Sequence, residues 1–241
     1  MKRITTVFLI IASSTLLMRC KSDTGKQAFY INDNFIGIRQ GKTVKFYKTE
    51  DQKHWSYGPG KDFTGEGHID NIFYFVGSYI GVRNDKVIKF YQTNVQGGWK
   101  YSPGKDFNSP DRLDGVLKFG DNAMGVWQDN IIKFFQTNRS GTWTHIPNDD
   151  FTADAKFDEA FFVSGGYIGI RKGKTIKFYL LNTDGKWIYD PRLDFNSDTN
   201  IDDAFYLGTG SMGILNGHTI DFFYIDPQRK WIPVPNSEFK F

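Results

Sequence analysis

The chain has 241 residues, 17% of them aromatic and 25 of them glycine, which favours strands and tight turns and suffices for one sizeable core or two small ones. Its 30 Lys and Arg lie interspersed with 27 Asp and Glu, for a net charge of +3 without a basic block, so the charge pattern argues against nucleic acid as a partner. The single cysteine, Cys20, excludes a disulfide within the chain.

In chain order the first element is an export signal, residues 1–19. Lys2 and Arg3 precede an apolar run from Val7 to Met18, shorter than the roughly 20 apolar residues that a spanning helix needs. Closing on Cys20, the segment resembles a bacterial lipoprotein signal, in which the cysteine becomes the lipidated first residue. Arg19 departs from the small residue usual just before it. Residues 20–27 then read as the lipidated Cys and a short polar tether, and residues 28–241 as one folded domain. The expected location is the bacterial cell envelope, at the outer membrane or cell surface, with the membrane met through the lipid alone.

The folded part is five copies of one unit. Gly37, Gly81, Gly125, Gly169 and Gly213 are each 44 residues apart, and Trp55, Trp99, Trp143, Trp187 and Trp231 keep the same step. So do Pro59, Pro103, Pro147, Pro191 and Pro235, with no insertion or deletion. Within the second copy four extended runs, 72–76, 79–83, 86–92 and 98–102, are separated by Gly, Asn, Asp and Ser turns. Four antiparallel strands in a 44-residue repeat specify a propeller blade, so the spacing predicts an all-β fold, a five-bladed β-propeller. Helical repeats are rejected because Ile88 and Phe90 alternate with Lys89 and Tyr91. Five equivalent Phe, from Phe46 to Phe222, are expected in the core. Phe239 to Phe241 are expected beside the Ala28 segment, sealing the ring.

The blade junctions read HIDNIFYF, RLDGVLKF, KFDEAFFV and NIDDAFYL. This pattern resembles the opening of hemopexin-type repeats, over the whole mature chain. The resemblance implies an extracellular binding scaffold with an ion-bearing central channel. The chain departs from that family in having five copies instead of four and no bridging disulfide. Five-bladed animal lectins of the tachylectin kind are similar in architecture only.

The candidate residues divide by repeat position. The five Trp are expected to be structural anchors between blades, with sugar stacking as the rival role. Asp70, Asp114, Asp158 and Asp202, with Lys26 in the first copy, are expected to ring the central channel. There they would hold Ca²⁺ or another ion, or else serve in turns. Asp62, Asp106, Asp150, Asp194 and Glu238 are read as turn acids. Arg39, Arg83 and Arg171 share a position with Trp127 and Leu215 and are candidate ligand contacts, or pair with acids between blades. Lys118, Leu181, Arg192 and Asp221 also break the repeat, and a unique site should be built from such departures.

His54, His68, His145 and His218 fall at different offsets, without the spacing of a metal pair or a triad. No catalytic residue and no required cofactor is read from the sequence. The function expected is a monomeric, non-catalytic module that binds a surface glycan or protein. A polysaccharide-active enzyme and an assembly component of an envelope complex are the alternatives.

Overall fold

The computed structural model describes residues 26–32, 35–51, 53–94, 97–120, 122–208 and 210–241; the signal segment, Cys20 and the tether through Gly25 lie outside the described residues. The alternation in each copy gives four strands in spatial order, innermost to outermost. In the first blade these are Lys26–Asn32, Phe35–Gln40, Thr43–Thr49 and Trp55–Tyr57. All pairings are antiparallel, and a two-residue strand, Phe63–Thr64, adds to the third strand beyond the four expected. The other four blades repeat this plan, so the fold is a five-bladed β-propeller. The innermost strands stand side by side around the axis in chain order, and the last, Asp203–Gly208, lies against the first.

Four of the five invariant glycines are explained by the ring lying over them; the fifth, Gly125, faces Leu117. Phe29, Phe73, Phe161 and Phe205 on the innermost strands pair with Gly37, Gly81, Gly169 and Gly213 on the second. A Cβ at those glycines would sit 2.3, 2.3, 2.4 and 2.4 Å from ring carbons, far inside van der Waals contact. The repeat therefore needs hydrogen there, because the aromatic ring fills the place of a side chain.

Between blades the recurring contact is a Trp from one blade on a Phe from the blade before it. Phe46–Trp99, Phe90–Trp143, Phe134–Trp187 and Phe178–Trp231 have centroids 5.5, 5.7, 5.7 and 5.5 Å apart. Such pairs add about 0.5–1.5 kcal/mol beyond area burial. The indole N–H of each Trp in these four pairs donates to a carbonyl of the preceding blade, at Lys61, Lys105, Asp149 and Leu193. The fifth interface closes the ring by the same packing, with Trp55 on Phe222 at 5.7 Å and Tyr47 on Phe239 at 5.0 Å. Ala28 and Phe239 share one core cluster, with Phe241 packed against it. Here the Trp55 Nε1 is buried without a partner. Every blade is one continuous stretch among the described residues, so packing and side-chain hydrogen bonds close the circle.

Candidate functional site

The four junction acids do not form the expected carboxylate ring of a channel. Each carboxylate instead accepts the backbone N–H at the hairpin between the second and third strands of its own blade. Asp85, Asp129, Gly173 and Gly217 donate to Asp70, Asp114, Asp158 and Asp202 at 2.5, 2.8, 2.7 and 2.7 Å. These donors have positive φ, between 54° and 63°, and a turn of that shape leaves an N–H pointing outward for an acceptor to take. Burial opposes ionisation of Asp70, yet the Asp85 N–H and the Arg83 guanidinium hold it below the usual carboxylate range. In the first copy Lys26 stands there and reaches His218 at 3.2 Å. Among the described residues no three His, Cys, Asp or Glu gather as a metal site, and the hydrogen bonds of these four acids are those of turn caps.

Arg39, Arg83 and Arg171, expected as ligand contacts, are 3–6% exposed and turned to structural bonds, while Trp127, 3% exposed, lines a pocket on the axis. Each guanidinium clamps the linker into the next blade, donating to the carbonyl of Ile69, Leu113 or Ile201 at 2.7, 2.7 and 3.0 Å. Trp127 packs its ring on Phe157, 30 residues on, and fills the place of a side chain at Gly115.

The strand register exposes a column that the sequence reading passed over. Opposite Arg39, Arg83, Trp127, Arg171 and Leu215 stand Gln27, Asn71, Gly115, Glu159 and Asp203. They lie one residue after the junction acids and are the least alike of any innermost-strand position. The side chains of Gln27, Glu159 and Asp203 cross to the neighbouring blade, whose innermost strand has no sheet partner on its axial edge. Gln27 exchanges two hydrogen bonds with the Ile72 backbone, at 2.9 and 3.0 Å. Glu159 accepts from Ala204 N at 3.1 Å and from Arg171 Nε at 2.8 Å. Asp203 accepts from Ala28 N at 2.6 Å across the closure. Full burial, then the charge and hydrogen bond of Glu159, push the Asp203 carboxyl well above the usual range.

Along the axis the same strands wall a pocket of about 310 Å³. Phe29, Phe73, Leu117, Phe161 and Phe205 line it, with Gln27, Asn71 and Glu159 toward one end. Tyr74, Phe162 and Tyr206 lie toward the other. Lys118, one of the departures, lies among these aromatics with its ammonium 5.5 Å from the Tyr74 ring centroid. A mostly apolar pocket with a few polar groups is the usual form of a small-ligand site.

Two other departures meet elsewhere. On the outer rim Lys45, Lys89 and Lys177 lie over Tyr57, Tyr101 and Tyr189 at 5.6, 5.3 and 5.2 Å. Each Tyr hydroxyl donates to an acid of the second series, Asp62, Asp106 or Asp194. That bond pushes Tyr101 and Tyr189 up to about 12. The fifth blade has Asp221 and Pro233 in place of the Lys and Tyr. There a groove of about 730 Å³ runs between the fourth and fifth blades, lined by Asp221, Phe223, Trp231, Arg192, Asn196 and Thr199 among others. Leu181 joins neither place; it pairs with Trp187 in its own sheet.

Comparison with known proteins bears on the fold alone. No family model matches the chain, and no curated protein matches it. Among solved structures, a protein from Lactobacillus plantarum is similar with a TM-score of 0.50 at 10% identity, over 84% of this chain and 67% of that one. A functionally unknown protein from Desulfotomaculum acetoxidans is similar with a TM-score of 0.50 at 9% identity, over 88% of this chain and 68% of that one. At such identities the shared feature is the fold.

Proposed function

We propose that this chain is an exported, lipid-anchored bacterial envelope protein whose propeller binds a surface glycan or protein without chemistry. The observation that carries the reading is where the repeats differ. Blade-building residues recur five times, whereas Lys118 stands at an axial pocket and Arg192 and Asp221 at a side groove. A repeated scaffold with departures gathered at concave places suits recognition.

A hydrolytic reading has one favourable observation, the Glu159 and Asp203 pair. Those acids hydrogen-bond to each other, while paired glycosidase carboxylates stand about 5 Å or more apart with substrate between them. Asp203 is 5% exposed and Arg171 occupies Glu159, so the pair serves ring closure.

The test is a glycan array and a pull-down from envelope extract, both with the folded protein. A specific glycan or protein captured in either supports the proposal, and silence in both sinks it. Mass spectrometry of the mature N-terminus tests the anchor: a diacyl or triacyl adduct on Cys20 is expected, and an unmodified or uncleaved N-terminus refutes it.

A further inference from the structure

The groove between the fourth and fifth blades exists because two long side chains are missing from one face. In the fourth blade Lys177 and Tyr189 cover the equivalent surface, and Lys45 with Tyr57 and Lys89 with Tyr101 do so in the first and second. Phe223 pairs across the sheet with Pro233, and Asp221 shares that face, which looks onto the fourth blade through the Phe195–Phe223 contact. The shorter Asp and Pro leave the space open. Asp221 makes no hydrogen bond among the described residues, unlike Lys156, Asp190 and other charged side chains of this molecule that are bonded in pairs. Opposite it the fourth blade offers the Asn196 amide, whose Oδ1 accepts from the Thr175 hydroxyl at 2.9 Å, and the hydroxyls of Ser197 and Thr199, 3.3 Å apart, of which Ser197 Oγ also accepts from the Thr199 N–H at 3.2 Å.

The chemistry of the lining selects the ligand. Three acids, Asp194, Asp198 and Asp221, face two bases, Arg192 and Lys230, so the groove has no strong field for a highly charged partner. Its lining joins the aromatic side chains of Phe223 and Trp231 with carboxylate, amide, guanidinium and hydroxyl groups. An uncharged molecule with apolar faces and a belt of hydroxyls matches both, which describes a sugar ring. We propose that this groove binds a neutral glycan, with Asp221 accepting hydrogen bonds from sugar hydroxyls and Trp231 forming part of the apolar lining. The inference rests on the binding reading above and narrows it to one ligand class and one place.

The experiment restores the repeat. Asp221→Lys with Pro233→Tyr gives the fifth blade the side chains of its neighbours and refills the groove without touching the core. The full chain, purified in detergent where it carries lipid, is screened on a glycan array beside this variant, Asp221→Ser and the axial-pocket variant Lys118→Gln. Neutral glycans should bind the wild type and Lys118→Gln alike. The refilled variant should lose about tenfold or more in affinity with its melting temperature kept, and Asp221→Ser a smaller part, since a hydroxyl site stripped of its acceptor leaves a donor unpaired. Glycans that still bind the refilled variant, or that require Lys118, overturn the groove and leave the broader reading standing. Capture of a protein with a silent array, or of charged glycans alone, also overturns the inference. Silence in both screens removes the two together.

Discussion

The second and fourth blades use the same Arg in the same place and differ in what stands opposite. In the fourth, Glu159 reaches the Arg171 Nε at 2.8 Å, so the guanidinium is satisfied on both edges. In the second, Asn71 is one methylene shorter and uncharged, and its Oδ1 and the Arg83 Nε are both buried without partners. The proton affinity of the two guanidinium groups follows. Burial lowers it in both; for Arg83 burial prevails over Asp70, whereas Glu159 more than offsets burial for Arg171 and raises it. A single side chain thus decides whether a buried cation is fully paired, in a scaffold whose backbone bonds are otherwise repeated.

Removing the cation should break the comparison most clearly. Arg171→Leu abandons Glu159 beside Asp203 in the interior and is expected to cost roughly 3–5 kcal/mol, the range for breaking a buried pair. Arg83→Leu forfeits three carbonyl bonds, the shortest to Leu113 at 2.7 Å, and a longer contact to Asp70 at 3.4 Å, and should cost about 1–3 kcal/mol. Urea unfolding with unchanged slope measures both, and equal losses would mean that the Glu159 pairing adds nothing.

Where the blades agree, substitutions should cost the same. Gly81→Ala and Gly169→Ala each drive a methyl into a Phe ring, with about 1–3 kcal/mol lost to strain in either blade. A difference in melting temperature between these two variants would show that the rings are not equally confined.

The buried Asp203 carboxyl, raised well above the usual range beside Glu159, marks the fourth and fifth blades from the rest, since the third has Gly115 at that position. The folded state holds a proton that the unfolded chain releases above the ordinary carboxylate range, near pH 4. Its contribution is therefore complete at low pH and is lost as pH rises from there through the raised folded value. Asp203→Asn keeps a donor toward Glu159 and an acceptor for Ala28, and should flatten this part of the profile of melting temperature against pH. Parallel profiles for the variant and the wild type would refute the raised Asp203 carboxyl.

The smallest effect is a gain. Asn71→Glu lengthens the second blade's side chain to match the fourth and should stabilise by about 1 kcal/mol through a bond to the Arg83 Nε. An unchanged or lowered urea midpoint would show that the second blade cannot house the charge.

Much of the architecture was legible because a strict 44-residue step leaves little freedom: Gly, Trp, Pro and Phe recur where every blade needs them. The sites were less legible. The junction acids looked like a channel motif because they recur, yet recurrence marked a hairpin need met inside each blade. The column from Gln27 to Asp203 looked like noise because no residue type repeats in it. Its signal lay in pairs: Arg stands opposite an amide or Glu, Trp opposite Gly, and Leu opposite Asp. Reading those pairs requires the strand register, 12 residues apart across a hairpin.

The sequence by itself determined the number of blades, their strands and their repeated core, since local alternation and a constant period depend only on neighbours along the chain. Tertiary structure decided what lies between blades. The buried Glu159 and Asp203 pair, the clamp from each Arg to the next linker and the groove at Asp221 join residues from different repeats. Their contacts form only when the ring brings strand edges and blade faces together.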